Sequence, residues 1–149
     1  YLADNNASSD QFNQDVIEKL QPDTLIMINP VCPLIDAEDI QAALLKFQNS
    51  DCDTLITASS TQMQTFCEGK PVNINTKEQL APSQNNKRIS ILNWAITIWD
   101  AKSFLQRMNE SGYAVLGDKR ELFDIDFLKS IKVSEEKDFV LAEKLLKIK

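Results

Sequence analysis

Two short apolar runs separated by one capped helix constrain this chain more than any other feature. Thr24-Leu-Ile-Met-Ile-Asn29 is too short for a helix, is apolar on both faces, and is closed by Pro30 and Pro33. Such a run reads as a strand covered on both sides. Asp36 follows as an N-cap, with Glu38 and Asp39 in the first turn where the helix dipole favours anions. Ile40, Ala43, Leu44 and Phe47 give that helix its buried stripe, and Asp53-Thr-Leu-Ile-Thr-Ala58 forms a second strand. Strand, helix and strand at this spacing make a βαβ unit, with parallel strands and a right-handed crossover. The fold class is α/β, with a mostly parallel sheet flanked by helices in a single domain.

The flanking segments extend this pattern. Phe12, Val16, Ile17 and Leu20 share one face of a helix from about Asp10 to Leu20, capped by Ser9 or Asp10 and stopped by Pro22. Residues 59–89 are polar, with short strands at Gln64–Cys67 and Val72–Ile74 joined through Gly69, and a loop at Pro82–Asn86. Periodicity returns in an apolar strand at Ile89–Trp99 and a helix at Ala101–Met108 that ends before Gly112. Tyr113–Leu116 and Ser130–Val133 read as further strands. The last helix starts at Ser134 and buries Phe139, Ala142, Leu145 and Leu146.

Composition removes several function classes. The 149 residues contain no histidine, which excludes histidine-based nucleophile systems and histidine metal ligands within the chain. Three glycines cannot build a Gly-rich phosphate loop. A net charge of -6, with Arg88, Arg107 and Arg120 as the only arginines, leaves no basic stripe for nucleic acid. Cys32, Cys52 and Cys67 are odd in number and lack metal-ligand spacing, so they read as reduced thiols in a cytoplasmic protein. No apolar stretch is long enough to span a membrane.

Two places carry chemistry. In open α/β sheets ligands sit beyond the carboxyl ends of strands, which here points to Asn29-Pro30-Val31-Cys32-Pro33. The same loop also reads as a rigid strand-to-helix connection. Without histidine, Cys32 is a poor nucleophile. Asp124 and Asp126 lie in Glu121-Leu-Phe-Asp-Ile-Asp126, where alternating carboxylates either hold Mg²⁺ or form the solvated face of an edge strand.

Three segments resemble the acylneuraminate cytidylyltransferases, the CMP-sialic acid synthetases. Asn29-Pro-Val-Cys-Pro-Leu-Ile-Asp-Ala-Glu-Asp-Ile40 is similar to that family's Q/N-P-T-S-P-L-R-x-x-E-D-I segment. Asn93-Trp-Ala-Ile-Thr-Ile98 resembles its N-G-A-I-Y-I or N-W-A-F-F-I strand, and Asp138-Phe-Val-Leu-Ala-Glu-Lys-Leu145 its E-D-F-x-L-A-E-x-L helix. The resemblance covers essentially the whole chain, in the family's order, and corresponds to roughly the C-terminal two-thirds of such an enzyme. It implies a Rossmann-like nucleotidyltransferase in which the anomeric hydroxyl of a nonulosonic acid attacks the α-phosphate of CTP with Mg²⁺ assistance. It also implies a homodimer made through an arm at 59–89.

Carried over residue by residue, the resemblance makes Asn29, Pro30, Cys32 and Pro33 a nucleotide or sugar loop, with Cys32 where serine is usual. It sets Asn93 and Thr97 on the sugar-pocket strand, and Gln84 in the family's R-S/T-Q motif. Three departures stand out. Pro82 occupies the place of that motif's arginine. Lys132 and Ser134 align with the family's D-I-D metal pair, whereas the D-I-D of this chain, Asp124 to Asp126, lies eight residues earlier. The N-terminal CTP-phosphate loop of the family has no counterpart, and Tyr1-Leu-Ala3 aligns downstream of it. The expectation is a cytidylyltransferase-type chain that is inactive alone. The alternatives are a non-catalytic dimerising or binding module, and a synthetase of the CMP-3-deoxy-octulosonate type.

Overall fold

The computed structural model describes residues 7–148. The segment 1–6, including Tyr1-Leu-Ala3, lies outside them. In chain order the elements are α1 (Ser9–Leu20), β1 (Thr24–Ile28), α2 (Ala37–Gln48), β2 (Thr54–Thr61), β3 (Phe66–Cys67) and β4 (Lys70–Pro71). After a single 3₁₀ turn at Ser83–Asn85 come β5 (Ile89–Asp100), α3 (Ala101–Ser111), β6 (Arg120–Asp124) and α4 (Glu136–Leu146).

The main sheet has the order β1-β5-β2-β6. β5 is antiparallel to both β1 and β2, and β2 is parallel to β6. β1, β2 and β6 therefore share one direction, as the strand–helix–strand pattern requires. The expected mostly parallel sheet is corrected: the chain returns from the polar segment and inserts β5 between β1 and β2, so of the three pairings only β2–β6 is parallel. β5 takes the centre because Ala95 to Trp99 are apolar enough, apart from Thr97, to be buried as a continuous run. β1 becomes an edge strand. Its residues are half-buried and Ile28 is exposed, so it is not covered on both sides.

Helices cover both faces of the sheet. On one, Ile17 of α1 and Phe104 of α3 close over Trp99, with the Phe104 ring edge-on at 5.8 Å. On the other, Ala43 and Phe47 of α2 pack on Leu55, Ile96 and Ile98. The expected cap of α2 is present: the Asp36 carboxylate accepts from the Asp39 N–H at 3.1 Å, and Asp39 accepts from the Asp36 N–H at 3.0 Å.

Other expectations shift. α1 is capped by Ser8 in a box with Gln11, not by Ser9 or Asp10. Phe12 and Leu20 are exposed, and the buried line of α1 is Asn13 and Ile17. Asp10 instead accepts from the Ala114 and Val115 N–H groups at 2.6 and 2.9 Å. Val115 O accepts from the Trp99 indole at 2.9 Å. Side chains thus take the backbone groups of 113–116 that a ladder would have used, and no strand forms there. Ser130–Val133 is likewise not a strand, and the fourth strand is β6.

The hairpin of the polar segment is tighter than expected. β3 and β4 turn through Glu68 and Gly69, both at positive φ (49° and 75°), so pairing ends at Pro71 and Val72–Ile74 is irregular. α3 runs to Ser111 and is closed by Gly112 at φ 79°. α4 begins after Glu135, not Ser134, because the Asp138 carboxylate accepts from both the Ser134 and Glu135 N–H groups at 3.0 Å. It docks through Ala142 and the half-buried Leu145, while Phe139 and Leu146 are exposed. No helix among the described residues is long and apolar enough to cross a membrane.

Candidate functional site

The strand-tip loop is built from its own backbone. The Asn29 N–H donates to Ala95 O at 2.9 Å, tying the end of β1 to β5, and Asn29 O accepts from the Cys32 N–H at 3.0 Å. Asn29 Oδ1 accepts from the Val31 N–H at 3.3 Å, an Asx turn that sets the direction of the loop before Pro33. Cys32 is buried against Ala95 and Ile125, and that burial pushes its thiol pKa up, only partly offset by the Lys132 charge. A buried, protonated thiol fills space and is no nucleophile.

Beside this loop a cavity of about 360 Å³ opens between α1, β1 and β5, bounded by Asn13, Met27, Asn29, Trp94, Trp99 and Lys132. Pro30 lies on its rim as well. Trp94 reaches the cavity because β5 is irregular there: between the pairs Ile56–Thr97 and Ala58–Leu92, four residues of β5 stand against one of β2. Trp94 sits at φ 58°, an uncommon conformation for a bulky residue and one held by its surroundings. The holding group is Asn93. Its Oδ1 accepts from the Thr57 hydroxyl at 2.7 Å and the Ala95 N–H at 3.1 Å, and its Nδ2 donates to Ser59 Oγ at 3.0 Å. Thr57 Oγ1 in turn accepts from the Ile96 N–H at 2.9 Å. Side chains thus replace the ladder bonds that the bulge removes.

The residues expected to form the site separate into groups. Asn29 and Pro30 line the cavity with Trp94 and Lys132, and Pro33 faces a neighbouring apolar cleft of about 310 Å³ under α4. Asn93 serves the bulge that presents Trp94. Thr97 is fully buried, its hydroxyl has no partner, and it is not among the cavity walls. Gln84 sits in the 3₁₀ turn at the base of the polar segment, where its carbonyl accepts from Gln62 Nε2 at 2.7 Å, away from the cavity walls.

Each of the two carboxylates has one oxygen engaged within the chain. Asp124 faces Arg88 at 3.5 Å, and Asp126 Oδ1 accepts from the Leu128 N–H at 2.7 Å. Among the described residues no cluster of three or more His, Cys, Asp or Glu side chains is placed to hold a metal. β6 is the edge strand opposite β1, and Asp124 on it is exposed, which fits the solvated-face reading.

Sequence reading missed Asn13. It is 2% exposed, yet its Nδ2 has no hydrogen-bond partner. The available signal was a polar residue four positions before Ile17, within the turn that carries the apolar stripe.

The sheet order, the inserted antiparallel strand and the helices on both faces make a three-layered α/β fold. Among solved structures, 4-diphosphocytidyl-2C-methyl-D-erythritol synthase from Anaerococcus prevotii matches with a TM-score of 0.62 over 95% of this chain and 68% of that one, at 12% identity. At that identity the likeness establishes the fold alone. No protein-family model and no curated protein matches the chain.

Proposed function

We propose that the chain carries the strand-tip site of a cytidylyltransferase-type protein, and that the protein transfers CMP from CTP to a nonulosonic, sialic-acid-like sugar. The sugar's anomeric hydroxyl oxygen forms a bond to the α-phosphorus and releases its proton to water. The bond to the β-phosphate oxygen breaks, and pyrophosphate leaves with the electron pair. This chemistry needs positioning and charge neutralisation more than a protein nucleophile, so a histidine-free chain suits it. One observation carries the reading: the Asn29–Pro33 loop, at the carboxyl end of β1, opens on a recess beside the sheet that is walled by both polar and aromatic side chains.

The fold supports the cytidylyl class, and the three sequence segments support the sugar acid. Asp124 and Asp126 are engaged by Arg88 and the Leu128 N–H, and no step is assigned to them. The polar segment 59–89 is the dimer arm in this reading. Its exposed Met63, Phe66, Val72 and Leu80 supply the apolar contacts that an arm needs. No Gly-rich phosphate loop lies within the 149 residues, so the chain alone is expected to be inactive.

The test is to incubate the natural protein carrying this sequence with CTP and a nonulosonic acid, and to follow CMP-sugar by mass spectrometry. Product with CTP but not ATP supports the reading. A second reading, a non-catalytic binding module, is favoured by Lys132 and Ser134 standing where the resembled family has its metal pair. It predicts ligand binding without product.

A further inference from the structure

The walls of the cavity beside β1 include two residues, Asn13 and Lys132, whose donors the protein itself does not use. Asn13 Nδ2 is buried with no acceptor, and an amide in that position retains its full desolvation penalty unless something binds there. The Lys132 ammonium makes no ion pair or hydrogen bond among the described residues. Lys132 is exposed, and its backbone is held beside the cavity because the adjacent Val133 N–H donates to Val31 O at 2.8 Å. Among the described residues no Asp or Glu lines the cavity. The chain's only two tryptophans, Trp94 and Trp99, form its flat walls, and the Asn93–Thr57 bonds hold the Trp94 backbone in its strained conformation.

A recess whose described walls carry an ammonium and an amide N–H and no carboxylate suits an anionic oxygen rather than a cation. We infer that this cavity is a metal-independent oxyanion site: Lys132 pairs with a phosphate or carboxylate, Asn13 donates to a second acceptor on the same ligand, and the ligand's body lies against Trp94. The ligand classes rest on the reading above, in which CMP supplies a phosphate and the sugar acid a carboxylate. The preference for an anion does not depend on it.

Because both tryptophans line the cavity, intrinsic fluorescence reads it directly. The full chain is titrated in EDTA with CMP and, separately, with N-acetylneuraminate, and each titration is repeated with magnesium. At least one anion should change the emission saturably and with the same affinity in both buffers. A response to CMP assigns the phosphate and a response to N-acetylneuraminate the carboxylate. Lys132→Gln should weaken binding about 10- to 100-fold, the value of a charge-assisted hydrogen bond, while Lys132→Arg keeps most of it. Asn13→Leu should weaken it about 10-fold without lowering the melting temperature. The inference is overturned if neither anion alters the emission, if binding requires magnesium, or if Lys132→Gln binds as the parent does. Metal-free binding with no CMP-sugar formed by the natural protein would overturn the transferase reading alone. CMP-sugar formation with unchanged affinity in Lys132→Gln would overturn this site alone.

Discussion

The Thr57 hydroxyl and the Asn93 side-chain carbonyl lie 2.7 Å apart across the β2–β5 ladder, at the one place where the ladder's register breaks. Thr57 is fully buried, so removing its hydroxyl strands the Ile96 N–H and leaves Asn93 Oδ1 with the Ala95 N–H as its remaining donor. Thr57→Val should cost about 1–3 kcal/mol of stability, read by urea denaturation. It should also change the Trp94 environment, seen as a shift in fluorescence of the folded state. An unchanged midpoint and spectrum would mean that the bulge is held by something other than this pair.

Lys129 ties the loop before α4 to the start of α2. Its ammonium lies 2.9 Å from Asp36 Oδ2 and 2.8 Å from both Asp39 oxygens. These bonds, with Asp39's the larger, push the Lys129 pKa up to about 12, and the Lys129 hydrogen bond holds Asp36 well below the usual carboxylate range. The signs follow from linkage. Asp36, depressed in the fold, contributes stability that is fully present above its ordinary pKa of 3.8 and is lost as pH falls toward its folded value. Lys129, raised in the fold, contributes stability that is present below 10.5 and is lost as pH rises through about 12. Lys129→Gln should therefore flatten both limbs of a melting-temperature profile and leave its slope near neutrality unchanged. Acid and alkaline limbs as steep as the parent's would contradict the triad.

Gly117 sits at φ 61°, and a side-chain carbon there would collide with Thr54 Oγ1 and Asp53 Oδ1. The turn it makes lets the Asp53 carboxylate accept from the Asp118 and Lys119 N–H groups at 3.2 and 2.9 Å. Gly117→Ala combines left-handed strain with overpacking and should cost about 2–4 kcal/mol by denaturant titration. Gly69, where an added methyl would meet nothing within 4 Å, should tolerate alanine at about 1 kcal/mol. Equal costs at the two sites would remove the steric argument.

If the 59–89 segment is a dimer arm, its exposed apolar side chains bury against a second copy. Phe66→Asp combined with Val72→Asp should shift the sedimentation coefficient from dimer toward monomer and leave the melting temperature of the core nearly unchanged, because both residues are exposed in the single chain. A monomeric parent, or a double variant that stays dimeric, would contradict the arm.

Local signals in the sequence located every long element. The Asp36 cap, the Phe47 stripe and the Ile89 strand appear where their periodicity sets them, because each is dictated by neighbours a few residues away. Strand order was not legible: nothing in the periodicity of Thr24–Ile28 says that β5, far along the chain, will take its hydrogen-bonding edge. Tyr113–Leu116 failed as a strand for a similar reason, since Asp10 and Trp99, both remote in sequence, capture its backbone groups. At the site, the Asn29 loop was visible through its prolines. Asn13 and the upturned Trp94 backbone were not, because their meaning comes from packing and from the bulge.

The most direct measurement is CMP transfer by the natural protein carrying this sequence, intact and as Asn29→Ala, with CTP and a panel of nonulosonic acids. CMP-sugar and pyrophosphate should appear in equal amounts, kcat/KM should drop about tenfold or more for Asn29→Ala, and the 149 residues alone should not turn over. No CMP-sugar with any nonulosonic acid, or undiminished turnover in Asn29→Ala, would contradict the proposed transfer at this site.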